Sequence, residues 1–172
     1  SINNPFLLLF IGVVFTALVQ SSSAVTTIII SMVGAGLSIG SSPNSVLFLI
    51  LGTNIGTCVT ALISSIGAST NAKRTSIIHL LFNVFGTAVF LIILLLWKDF
   101  ADVTLKKWFS HESTQIAMFH TIFNVISTLL FIPLINVFIK LSTILVKDKK
   151  EDVRVTYLDD RFLNTPSIAV MQ

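Results

Sequence analysis

TALVQSSSAVTTIIIS at 16–31 and LGTNIGTCVTALISS at 51–65 set small polar side chains into one of the most apolar parts of this chain. No Asp, Glu, Lys or Arg occurs from Ser1 to Ala72, so the region can enter a bilayer without burying a formal charge. It is not inert hydrocarbon, however. Gln20, Ser21, Ser22, Ser23, Thr26 and Thr27 form one cluster, and Thr53, Asn54, Thr57 and Thr60 form a second about thirty residues on. An unpaired hydroxyl or amide in hydrocarbon costs several kcal/mol, so these groups need partners. Ser/Thr/Gly patterns also serve close helix packing. Two clusters of this density favour a binding site for a substrate and its coupling ions.

The surrounding composition agrees with a membrane setting. Hydrophobic residues make up 53% of the 172 and charged residues 11%, against about a quarter charged in soluble domains. Mean hydropathy is +0.91. An integral membrane protein, or a piece of one, is expected; a first residue that is Ser and a polar end that looks like the start of another segment make a fragment the expectation. The net charge of +3 comes from basic residues in short polar pieces between apolar segments, a distribution that orients a membrane protein and offers no face for nucleic acid. Cys58 is the only cysteine, so neither a disulfide framework nor a metal spacing is present. No charged stretch precedes the first apolar run, and a cleavable signal peptide is not expected. An enzyme fits poorly, because the serines and threonines have no base beside them and His79, His111 and His120 are scattered. No cofactor is implied.

Pro5 to Gln20 and Ala24 to Ile39 are apolar pieces of sixteen residues each, separated by the three serines. At the helical rise each covers roughly 24 Å, short of a hydrocarbon core of about 30 Å. A long tilted helix through the serines and a re-entrant hairpin over 5–39, with Gln20 to Ser23 as its tip, both satisfy that length. Three serines make a plausible break and helix start, and the hairpin is the preferred reading. A Gly/Ser/Pro/Asn turn follows, with Pro43 and Asn44 as breakers. The span over 45–68 contains Gly52 and Gly56 around Thr53 and Asn54, and is expected to be broken there. Read as continuous helix, Thr53, Thr57, Thr60 and Ser64 would still share one face. Spans at 75–97 and 113–146 complete the set, the second kinked at Pro133, with an amphipathic surface segment between them.

Charge assigns the sides. Lys73-Arg74 and the basic cluster from Lys140 to Lys150 should be cytoplasmic, leaving the neutral 98–112 connection outside and the hairpin entering from outside. The chain should therefore be a multi-pass protein of the cell membrane. His79, Asn83 and Thr87 recur forty-one residues later as His120, Asn124 and Thr128. Each set lies on one helical stripe and reads as glue between helices rather than ligand contact. Residues 147–172 read as a polar cytoplasmic linker to a mostly absent helical domain.

Uncharged donors suit an anion, and hydroxyl and carbonyl oxygens suit sodium, a hard cation. A half-helix starting at Ser21 to Ser23 would add its free N–H groups and positive end. VQSSSA at 19–24 followed by LGTNIGTCVTAL at 51–62 resembles the repeat of sodium-dependent phosphate cotransporters. KRTSIIHLLFN at 73–83, FHTIFNVISTLLFIPLI at 119–135 and YLDDRFLNTPSIAV at 157–170 extend the resemblance, the last looking like the linker to a PhoU-like domain. It departs at Thr53, where alanine or serine is usual, and at Cys58, where threonine is common.

The resemblance implies an all-α membrane protein holding the second of two inverted repeats, and sodium-coupled uptake of inorganic phosphate. Phosphate would meet Gln20, Ser21, Ser22, Ser23 and Asn54. Sodium would draw on Gln20, Ser22, Ser23, Thr26, Thr53, Asn54 and Thr57. The implied partners are membrane lipid, the first repeat or an antiparallel second copy, and a possible homodimer. A non-transporting membrane scaffold for a soluble domain is the rival expectation.

Overall fold

The computed structural model describes residues 4–148, which form helices joined by short turns, with no strand among them. The tail expected as a linker lies almost wholly outside the described residues. The first helix, α1 (Pro5–Val19), starts where Asn4 Oδ1 accepts from the N–H groups of Phe6 at 2.9 Å and Leu7 at 3.3 Å, with Pro5 supplying a preset φ. It stops at Gln20, whose backbone is left-handed at φ 60° and whose N–H closes on the Thr16 carbonyl at 2.6 Å. Ser21 is extended and caps α2 (Ser22–Gly34), its hydroxyl accepting from Ala24 N at 3.2 Å. The long-helix alternative is thereby excluded: the chain breaks at Gln20-Ser21.

The next element corrects an expectation. The span expected to break over 52–57 is one unbroken helix, α3 (Ser45–Ser64). Its glycines do not loosen it; they let another helix in. A Cβ on Gly52 would overlap the Leu9 carbonyl oxygen, and one on Gly12 would overlap the Leu49 carbonyl oxygen. On Gly56 it would lie 2.5 Å from Val13 O and 2.7 Å from Thr16 Cβ. α1 therefore lies backbone to backbone along α3, the two running in the same direction.

Ser22 sits beside Asn54 and Thr57, whereas Val33 sits beside Val46 and Leu47. α2 thus runs opposite to α3, and α1 and α2 form an antiparallel pair whose tip lies along the second half of α3.

α4 (Thr70–Leu96) returns antiparallel to α3. Ser76 Oγ donates to Ala61 O at 2.9 Å near one end, and Thr87 Oγ1 donates to Leu51 O at 3.3 Å farther along. Trp97 ends it as its C-cap. A π-helical turn, Ala101–Leu105, then runs into the short α5 (Lys106–Trp108), with Ala101 and Leu105 buried and Asp102, Lys106 and Lys107 exposed. α6 (Glu112–Phe131) and α7 (Ile135–Leu145) are joined by a 3-10 turn at Ile132–Leu134, so the α-helical ladder is interrupted at Pro133 as expected. Phe90, Phe119 and Phe123 knit α4 to α6 edge to face, with centroids 5.0–6.0 Å apart. α3, α4 and the α6–α7 pair are each long and apolar enough to cross a membrane; α1 and α2 are shorter.

Both ends of this bundle are tied by polar contacts. At the end holding the 98–112 connection, the fully buried Asn44 donates through Nδ2 to Leu94 O at 3.1 Å and Trp97 O at 2.9 Å. Its Oδ1 accepts from Ala101 N at 3.0 Å. One amide thus satisfies the terminal carbonyls of α4 and a donor of the following turn. At the other end Arg74 bonds Val146 O and Asp148, both at 3.1 Å.

Two outcomes are expected in the detergent-solubilised full-length protein. Asn44→Ala orphans Leu94 O and Ala101 N, while Trp97 O keeps its bond from Phe100 N, and lowers stability by roughly 2–4 kcal/mol, read as an earlier thermal transition. Gly52→Ala forces α1 off α3 and lowers the transition likewise, whereas Gly34→Ala, whose methyl meets only the movable Ser113 hydroxyl at 3.3 Å, leaves it nearly unchanged.

Candidate functional site

The break at Gln20-Ser21 exposes two opposite helix ends to one another. Left-handed Gln20 leaves the last carbonyls of α1 without helical partners, and the cap at Ser21 leaves the N–H groups of Ser22 and Ser23 free of helical bonds. The first end carries partial negative charge and the second partial positive charge. A cation and an anion can therefore be met within a few residues of chain, without an ionised side chain.

Beside the α2 end lies an open cavity of about 300 Å³, lined by Ser22, Asn54, Thr57, His79, Phe82, Asn83, His120 and Asn124. α2, α3, α4 and α6 all contribute to it. No carboxylate, lysine or arginine lines it, so its chemistry is that of hydroxyls, amides and imidazoles. Among the described residues no three His, Cys, Asp or Glu side chains gather as a metal site.

The residues singled out from the sequence divide in two. Ser22, Asn54 and Thr57 meet in the cavity. Gln20 and Ser23 are exposed at the tip, and Ser21 serves as the helix cap. Thr53 is wholly buried and its hydroxyl donates to Ile50 O at 2.7 Å, back within its own helix. Thr26 is buried with a hydroxyl that has no bonding partner, as are the hydroxyls of Thr16 and Thr60. Such groups cost about 1–3 kcal/mol each when left unpaired, so they stand out as unspent capacity on either side of the break.

Sequence reasoning undervalued the histidine–asparagine echo. The expected glue role holds for Thr87, which bonds across to α3. It holds in part for the amides: the Asn83 side chain also meets the Cys58 thiol of α3, whereas Asn124 bonds within α6. Asn83 Nδ2 donates to His79 O at 3.0 Å and Asn124 Nδ2 to His120 O at 2.8 Å, each within its own helix. Both pairs also line the cavity. Their recurrence at a forty-one-residue interval was the available signal. Cys58, fully buried behind Asn54, contacts the carbonyls of Asn54 and His79 at 3.7 and 3.6 Å.

Comparison with known proteins adds the following. The family described as Na+/Pi-cotransporter matches residues 1–146. The chain is 36% identical over 141 residues to the uncharacterized protein YqeW of Bacillus subtilis, covering 82% of this chain and 44% of YqeW. It is 26% identical over 164 residues to a protein of Escherichia coli K12 provisionally named inorganic phosphate export protein YjbB, covering 93% of this chain and 29% of that one. It is 38% identical over 96 residues to the sodium-dependent phosphate transport protein 2A of Rattus norvegicus, covering 52% of this chain and 15% of the rat protein. The chain thus spans less than half the length of each of these relatives. No solved structure matches it.

Packing around the cavity sets an expectation for its thiol. Cys58, with no exposed surface, should resist a small maleimide in the folded protein and react after denaturation, read by mass spectrometry of the peptide that contains it; rapid labelling of the native protein would contradict this packing.

Proposed function

We propose, from the premise that this chain belongs to the Na+/Pi-cotransporter family, that it forms half of the core of a secondary transporter coupling uptake of inorganic phosphate to sodium. The observation that carries the reading is the break at Gln20-Ser21, where a helix carbonyl end and a helix N–H end meet beside a polar, charge-free cavity. Discontinuous helices that offer their N-termini to anions and their C-termini to cations are the transporter solution to binding at membrane depth.

In this reading phosphate is held by Gln20, Ser21, Ser22, Ser23 and Asn54. The free N–H groups of Ser22 and Ser23 supply the fixed positive end. Sodium draws on Gln20, Ser22, Ser23, Thr26, Thr53, Asn54 and Thr57. The unpartnered hydroxyl of Thr26 supports that set, and Thr53 and Thr57, whose protons are committed to their own helix, retain only oxygen lone pairs to offer. A doubly charged anion entering a cavity without cationic side chains needs cations beside it, which is the physical basis of coupling.

The α1–α2 pair enters the bilayer as a re-entrant hairpin from the outer side, with Lys73, Arg74 and the tail in the cytoplasm. The outward face of α1, where Phe6, Phe10 and Leu18 are 60%, 61% and 77% exposed, meets the inverted first repeat or an antiparallel second copy. Alternating access moves the hairpin-bearing unit against that partner. The name carried by the E. coli relative favours a second reading, in which phosphate leaves the cell. Binding chemistry is common to both directions, and the ion gradient decides between them.

In proteoliposomes of the full-length protein, labelled phosphate should enter under an inward sodium gradient and not when potassium replaces sodium. Ser22→Ala and Gln20→Ala should each abolish that uptake while the protein still inserts. Wild-type rates in both variants would remove the site assignment, and sodium-independent efflux alone would favour export.

A further inference from the structure

The three amides that line the cavity share a constraint that the sequence does not display. Asn54 Nδ2 donates to Ile50 O at 3.1 Å, Asn83 Nδ2 to His79 O at 3.0 Å and Asn124 Nδ2 to His120 O at 2.8 Å. A backbone carbonyl can only accept, so the end of each amide against it must be the nitrogen. Each amide is pinned one helical turn back with its nitrogen against that carbonyl, which fixes the opposite end as the oxygen and leaves that oxygen, with the second N–H, for a ligand. The Thr57 hydroxyl is committed in the same way, donating to Thr53 O at 2.9 Å. The lining therefore sets fixed amide oxygens among its donors. Those side-chain donors are the Ser22 hydroxyl, the second N–H of each amide and the imidazoles of His79 and His120.

A fully deprotonated oxyanion can take the N–H groups of such a wall but leaves its fixed amide oxygens unpaired, because its own oxygens only accept. An oxyanion that still carries a proton satisfies both. Its O–H can donate to an amide oxygen while its bare oxygens take N–H groups. At neutral pH phosphate and arsenate each keep at least one proton, whereas sulfate keeps none.

We propose that the paired residues His79/Asn83 and His120/Asn124 are the selectivity element of this cavity. The amide oxygens of Asn83 and Asn124 accept the O–H of a protonated oxyanion, and the imidazoles of His79 and His120 donate to its bare oxygens. The inference rests on the reading of the cavity as the anion site and adds the basis on which one tetrahedral anion is told from another. A site built around a substrate O–H rejects the analogue that lacks it far more strongly than a site built on shape, because its buried acceptors are then left unpaired.

The test is competition in proteoliposomes of the full-length protein at neutral pH under a sodium gradient. Arsenate should compete with labelled phosphate, and sulfate should not compete even in about hundredfold excess. Asn124→Ala and Asn83→Ala should raise the KM for phosphate about tenfold, the effect of one lost hydrogen bond to an ion, and should let sulfate begin to compete. His120→Phe and His79→Phe should raise the KM similarly, and His120→Gln, which restores an N–H donor, should recover part of it.

Asn124 is only half-buried and sits on α6, so its variant keeps the question answerable if the buried Asn83→Ala fails to fold. If wild type carries phosphate with sodium while all the folded variants keep its KM and its exclusion of sulfate, the selectivity role is overturned and the site reading stands. If wild type carries no phosphate with sodium, the site reading falls and the selectivity role falls with it.

Discussion

The contact on which the rest of the molecule depends is the backbone approach of α1 to α3. Gly12, Gly52 and Gly56 leave no Cβ between the two helices, and carbonyl oxygens of one lie directly against the other. Helices in apolar surroundings gain little from burying hydrocarbon, so van der Waals contact between backbones carries the association, and small residues are what allow it. Because α1 runs alongside α3 in the same direction, with Thr16 and Ala17 at Gly56, its end falls along the second half of α3. The break at Gln20-Ser21 is thereby delivered to the level of Asn54 and Thr57 rather than to either surface. With bulkier residues at these positions the same sequence would still break at the serines, but the break would face nothing in particular.

What is delivered there is a pair of helix ends rather than a set of charges. An ionised side chain at membrane depth carries a large desolvation cost, and none lines the cavity. Partial charges on backbone N–H and C=O groups avoid that cost, since they belong to helices that are already hydrogen-bonded elsewhere. In the proposed reading the consequence is mutual dependence: an anion and a cation at such ends would each lower the cost of admitting the other. Neutral hydroxyls and amides around the break then decide geometry, and their commitments to their own helices decide which face of each group remains to be used.

The polar locks at the bundle ends play the complementary part. Asn44 gathers the end of α4 and the following turn, while Arg74 ties the start of α4 to the chain after α7. Between these ties the tip of the α1–α2 pair lies among exposed side chains, Gln20 and Ser23 among them. Rigid ends and a polar tip held chiefly along one side suit a unit that moves as a body against a partner.

The primary structure alone determined the membrane character, the break at the serines and the cap beneath it, the interruption at Pro133 and the two polar clusters. Each of these follows from local chemistry, namely side-chain polarity, the preference of serine for helix starts and the missing N–H of proline. Local chemistry misled at Gly52 and Gly56, read as a break in the helix, because what a glycine is for depends on which backbone approaches it, and here that backbone is about forty residues away. Asn44 was rightly read as a turn residue, but its role in tying the end of α4 was not legible, its partners lying fifty or more positions on. The histidine–asparagine stripes were visible as stripes, but a period of four states only that residues share a face. Which space that face borders was decided by the packing of α2, α3, α4 and α6 around the tip. Only the tertiary structure could therefore bring Ser22, Asn54, Thr57 and the two echoed pairs to one cavity, since that meeting depends on contacts between segments that no local preference encodes.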